Sequence, residues 1–186
     1  MHRKSAIELI AKHDVMNVAL EERKNTIECA FLTGYDFEDE EIQSYPTSLQ
    51  KELCASQQEF EFTDPRYDPI IINDIRESYI GAKNEYILEK LKRFMPEETD
   101  IEGQAEDLFE CPCCRFLTLS EQSGFDICTV CFWEDDGASK EEDYSGPNHQ
   151  TLGEGRANFA SFGACDEKAK KHVEPDGIYK YHQRCT

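Results

Sequence analysis

Apolar residues recur at helical spacing through most of the first hundred positions. Ile7 and Ile10 lead into Met16, Val18 and Leu20, and Ile27, Ala30 and Phe31 continue one face until Gly34, so residues 1–33 are expected to be helical, with Ser5 and Glu8 as a capping box. Residues 36–43 are mostly acidic, and Pro46, Pro65 and Pro69 punctuate the next stretch of chain, leaving room for a short helix such as Ser48–Cys54 but no long element. The run Pro69-Ile70-Ile71-Ile72 reads as a buried segment. Asp74 and Glu77 repeat the capping pattern ahead of Ile75, Tyr79 and Ile80, and Gly81 marks a stop. Asn84 then caps a helix that puts Ile87, Leu91 and Phe94 on one face, with Lys90, Lys92 and Arg93 where the helix dipole favours cations, and Pro96 ends it.

Beyond Pro96 the pattern changes. Residues 96–107 are polar, acidic and without an apolar face, which marks a linker. After it come short runs with strand propensity: Arg115-Phe116-Leu117-Thr118-Leu119, a turn at Glu121-Gln122-Ser123-Gly124, and Phe125-Asp126-Ile127 returning as a second strand. The expected architecture is α+β, with a helical domain over 1–95, a linker over 96–107, and over 108–186 a small β-hairpin domain with a C-terminal tail, in which the C-x-x-C pairs Cys111/Cys114 and Cys128/Cys131 lie at zinc-ribbon spacing.

Composition narrows the setting. With 186 residues, 39% of them hydrophobic, and eleven Phe and eight Tyr, the chain can build a core. It has no apolar run long enough to span a bilayer, and Met1-His2-Arg3-Lys4 is not followed by one, so a cytoplasmic protein is expected. In that reducing compartment nine cysteines read as metal ligands or buried thiols before disulfides. The formal charge of −19 argues against nucleic-acid and anionic-membrane partners, which are met by clustered Lys and Arg; residues 106–163 hold only Arg115, Lys140 and Arg156 as cations. Such a surface instead speeds encounter with a basic protein.

The chemistry concentrates in Cys111-Pro112-Cys113-Cys114 and Cys128-Thr129-Val130-Cys131, which are separated by thirteen residues. Each C-x-x-C turn lets two thiolates converge on one ion, and two such turns complete a tetrahedron with metal–sulfur distances of about 2.3 Å. Four thiolates leave no open position for water, so the ion is structural rather than catalytic. Cys111, Cys114, Cys128 and Cys131 are the expected ligands of one zinc ion, with iron in a rubredoxin-like site as the rival. Cys113, inside the first turn, is a spectator. A structural zinc supplies roughly 10–16 kcal/mol of apparent binding free energy at neutral pH, more than a two-stranded hairpin supplies alone, so this region is expected to be disordered without metal.

The Cys-Pro-Cys-Cys run, followed by Ile127-Cys128-x-x-Cys131-Phe132-Trp133-Glu134-Asp135-Asp136-Gly137, Ser145-Gly146-Pro147-Asn148, Leu152, Arg156-Ala157-Asn158-Phe159 and Gly163, resembles the cysteine-rich CPCC family of bacterial proteins over about residues 108–165. Thr129 departs from the pattern, since a proline is common there. The resemblance implies a small zinc-binding domain, with members in polymorphic toxin systems that look like immunity proteins. It brings no catalytic residues.

Other constellations are weaker. Glu134, Asp135 and Asp136 could hold magnesium or act as acid and base, but carboxylates directly after such a turn more often accept backbone hydrogen bonds or cap a helix. Phe132 and Trp133 read as cover for the metal shell. Cys165, His172, His182 and Cys185 could form a second metal site, though their gaps fit no ribbon or finger; Cys29 and Cys54 read as small buried hydrophobes. The expected function is therefore non-catalytic: an acidic zinc protein that binds and neutralises a basic protein, most concretely an immunity protein against a toxin domain such as a nuclease. Asp36, Glu38, Asp39, Glu40, Glu41, Glu134, Asp135 and Asp136 are the candidate contacts. The alternatives are an enzyme with an unrecognised carboxylate site on the ribbon scaffold and a nucleic-acid-binding zinc ribbon.

Overall fold

The apolar spacings of the N-terminal half do produce helices, but several begin where the sequence gives little notice. The computed structural model describes residues 1–32, 40–55 and 60–184. Helices α1 (Arg3–Asp14), α2 (Leu20–Leu32), α3 (Glu40–Ser44), α4 (Thr47–Leu53), α5 (Asp68–Ser78) and α6 (Asn84–Leu91) precede two short antiparallel hairpins, β1 (Phe109–Glu110) with β2 (Leu117–Leu119) and β3 (Tyr144–Ser145) with β4 (Gln150–Thr151). Helix α7 (Leu152–Phe162) and the short α8 (Gly177–Lys180) come last. The fold is α+β, helical first and then a small two-hairpin region. No helix among the described residues is long and apolar enough to cross a membrane.

The chain divides into two compact units, one of Met1–Ile80 with Lys90–Glu102, the other of Gly81–Glu89 with Gly103–Thr186. In the first unit, α5 packs against both α1 and α2. Ile70 and Ile71 of α5 join Ile27, Ile42, Leu49, Leu53 and Tyr67 in one buried cluster, while α1 buries Ala6, Ile7, Ile10 and Ala11. Arg23, only 8% exposed, is satisfied by the Phe62 carbonyl and by a 2.8 Å ion pair with Asp68. The polar stretch before the second unit is tied down in the first: the Arg3 amide donates to the Glu102 carbonyl and the Glu102 amide to the Met1 carbonyl, each at 2.8 Å.

Two expected caps do not form. Helix α1 starts at Arg3, where the His2 imidazole accepts from the Lys4 amide, so Ser5 lies inside the helix and Glu8 turns to Lys12 and to Arg76 of α5. Asp74 is mid-helix, because α5 begins at Asp68 with Pro69 in its first turn. Proline's fixed φ and missing N–H suit that position, so the apolar run after it is helix rather than a separate segment. Cys29, expected in the core, is exposed, and Cys54 is half-buried.

In the second unit the core gathers Cys111, Cys113, Cys114, Leu119, Cys128, Cys131, Trp133, Leu152, Ala164, Cys165 and Tyr181. Helix α7 carries a full capping box between Thr151 and Glu154 and ends on Gly163 at φ 81°. Lys180 is 2% exposed; its ammonium reaches Glu174 at 2.6 Å and lies over the Tyr86 and Tyr181 rings. The expected hairpin joining 115–119 to 125–127 is absent: β2 pairs with β1, and Ile127 bridges Glu134.

The Lys12 hydrogen bond, opposed by partial burial and aided by Arg76, holds the Glu8 carboxyl below its ordinary value of 4.5. A depressed carboxyl stabilises fully above that value and stops doing so once the pH has fallen through the folded one. The Glu8→Gln variant is therefore expected to lose up to about 1 kcal/mol at pH 7, discounted for partial exposure. In urea titrations the gap between the two proteins should close on acidification below 4.5.

Candidate metal centre

Both cysteine pairs sit in turns of the same design. In the first, the Arg115 amide donates to the Cys111 carbonyl at 2.9 Å and the Cys111 amide to the Phe116 carbonyl at 2.9 Å. In the second, the Phe132 amide donates to the Cys128 carbonyl at 2.7 Å and the Cys128 amide to the Trp133 carbonyl at 2.8 Å. The residue after the second cysteine is left-handed in each case, Arg115 at φ 67° and Phe132 at φ 66°. Each turn thus reverses its own chain, which is why β1 pairs with β2 across the first and the 127–134 bridge closes the second.

The two turns bring the four predicted sulfurs together. Cys111 and Cys131 approach to 3.6 Å and Cys114 and Cys128 to 3.5 Å, and all four ligand atoms lie within 4.8 Å of one another. A tetrahedron with arms of about 2.3 Å has edges of about 3.8 Å, so the donor set fits one ion held by four sulfurs. All four residues are at most 2% exposed. Burial pushes the Cys111 and Cys131 thiols up, so these sulfurs take a metal only by giving up protons. The Thr118 hydroxyl donates to the Cys128 sulfur at 3.1 Å, a contact that favours thiolate.

Around this four-cysteine metal site the neighbours pack in the core or accept backbone hydrogen bonds. Cys113 is buried in the core outside the foursome. Trp133 is fully buried, and among the described residues its indole N–H has no hydrogen-bond partner. That costs about 1–3 kcal/mol, which the packing of its ring offsets. Gly155 of α7 lies against that ring: a Cβ there would come within 2.6 Å of Trp133 Cζ3. Asp135, expected among the exposed acids, is 5% exposed; its carboxylate accepts from the Ser123 amide at 2.8 Å and the Gly137 amide at 3.3 Å. Glu134 and Asp136 are half-buried, the Glu134 backbone pairing with the Asn148 amide group in both directions and Asp136 accepting from the Ala138 amide. Asp36, Glu38 and Asp39 lie outside the described residues, as do the side chains of Glu40 and Glu41.

No second cluster of metal-binding side chains occurs among the described residues. Cys165 is in the core, where burial pushes its thiol up to about 12. His172 stacks on Phe132 at 4.8 Å, the His182 carbonyl accepts from the Leu117 amide, and Cys185 lies outside the described residues.

Removing the metal with a strong chelator is expected to expose Trp133, the only tryptophan of the chain, and to move its emission to the red. An unchanged spectrum would contradict a structural metal. Cys128→Ser should reproduce the shift without chelator. Gly155→Ala overpacks the Trp133 ring and should cost about 1–3 kcal/mol in chemical denaturation with the metal still bound.

The same stretch of chain carries the sequence likeness. No curated protein and no solved structure matches the chain. A family model does, from Phe109, the first residue of β1, to Gly177, the first of α8, and residues 109–177 are thereby identified as a Cysteine-rich CPCC domain.

Proposed function

We propose that the four-cysteine site holds a single structural zinc ion and that the protein is a non-catalytic binding module for a basic protein partner. The carrying observation is the closed shell: four buried sulfurs surround the site, and the Asp135 carboxylate beside it is taken up by backbone amides. A charge of −19 supplies the attraction to a basic surface. Carboxylates give steering and specificity, while affinity needs apolar anchors. Phe125 is 60% and Ile127 48% exposed, and Ile127 is bridged to Glu134. Exposed apolar residues whose backbone pairs with the acidic segment 134–135 suit a basic partner with an apolar patch.

The most concrete form of this reading is an immunity protein that occludes a toxin domain, such as a nuclease. It rests on what the CPCC resemblance implies, with Asp36, Glu38, Asp39, Glu40 and Glu41 as further contacts. The partner then meets carboxylates where its substrate would bring phosphates.

Zinc is expected at one equivalent per chain by elemental analysis of freshly purified protein; iron in its place would reassign the metal. Affinity capture from the native host should retain a basic protein that elutes as salt rises to about 0.5 M, since exposed charges are screened over a few ångströms there. Phe125→Ala with Ile127→Ala should weaken that complex at least tenfold, as loss of central anchors does, roughly 1.4 kcal/mol or more. Retention of nucleic acid at ~0.15 M salt, or turnover abolished by Glu134→Ala, would overturn the proposal.

A further inference from the structure

Arginine is scarce in this domain, yet it converges. Of the cations of residues 106–163, Arg115 and Arg156 line one open cleft of about 630 Å³, and Arg184 joins them. The volume is that of a small-molecule site. Each guanidinium is held by one arm. Glu110 takes Arg115 Nε at 2.7 Å and lies 3.7 Å from Arg184 Nη1, while Arg156 Nε donates to the Pro112 carbonyl at 3.0 Å. A backbone hydrogen bond of 3.0 Å from the Arg184 amide to the Arg115 carbonyl keeps those two on the same rim. A guanidinium has five donors in a fixed fork, so among the described residues most of the cleft's N–H groups have no hydrogen-bond acceptor.

Glu110 offsets part of this charge, and the other carboxylates nearby add little. Asp135 also lines the cleft, but its oxygens are committed to the Ser123 and Gly137 amides. Glu141, 78% exposed at its side chain, reaches Arg156 only to 3.8 Å, an arrangement worth little in water. Arg115 occupies a left-handed position that glycine would fill at lower cost. Leu108, Leu117 and the half-exposed Phe109 give the cleft an apolar wall.

We propose that this cleft binds a small organic anion, a carboxylate or phosphate attached to an apolar body. The oxyanion sits on the guanidinium groups of Arg115, Arg156 and Arg184, and the body lies against Phe109 and Leu117. The site is independent of the basic partner, whose attraction runs to carboxylates.

The full-length, metal-loaded protein is titrated with phenyl phosphate, benzoate and inorganic phosphate, and followed by amide and arginine side-chain NMR shifts. Saturable shifts at Ser123, Gly137 and Leu117 are expected with phenyl phosphate or benzoate at a Kd below about 1 mM, and the tighter of the two identifies the oxyanion. Arg115→Gln and Arg156→Gln should each weaken binding about tenfold, as loss of a charge-assisted hydrogen bond does. Arg184→Gln, on a side chain 70% exposed, should weaken it severalfold with metal content unchanged, and it carries the test if the other variants fail to fold. No saturation by roughly 10 mM would overturn the proposal. So would full affinity in the arginine variants, or inorganic phosphate binding as tightly as phenyl phosphate.

Discussion

Four sulfurs drawn to one point set the terms for the whole second unit. Its hairpins are two or three residues long, too short to persist in water by themselves. What makes the first hairpin and the 127–134 bridge definite is that each is closed by a C-x-x-C turn, which reverses the chain through the same pair of backbone hydrogen bonds and delivers its thiols to the same place. Leu119, Trp133 and Leu152 then close over the sulfurs. In a core this small, the metal-binding side chains are themselves a large part of the buried interior.

The four-cysteine cluster was legible because coordination imposes local rules: two residues between sulfurs within a turn, and enough chain between turns to bring them together. Strand pairing was not legible for a related reason. Gly124 attracted the expected turn, whereas the chain turns back at Arg115 and Phe132, which carry no composition signal for a left-handed backbone. The same blind spot affected helix starts. A histidine side chain caps α1, and a proline that looked like punctuation opens α5. Burial ran against expectation in both directions, since Cys29 faces solvent while Asp135 is enclosed by the Ser123 and Gly137 amides. Pairing of that kind depends on the tertiary fold, and no periodicity records it.

The acidic excess takes on a sharper meaning once the placements are known. Some carboxylates near the metal hold loops, as Asp135 and Asp126 do by accepting backbone amides, and these are committed to architecture. Those not engaged in this way are fewer than composition suggests. The three arginines of the cleft run against the general charge, so the surface carries two opposite kinds of electrostatic address.

Helix α7 and the second cysteine turn meet where Gly155 faces the Trp133 ring, and the Trp133 carbonyl in turn receives the Cys128 amide. Three neighbours in space thereby share one tolerance. Sequence drift at the helix position has room only for a hydrogen atom unless the indole shrinks with it, and a smaller ring would loosen its neighbours in the core. A change at either position is felt at the other, which ties the packing of α7 to the turn that carries Cys128 and Cys131.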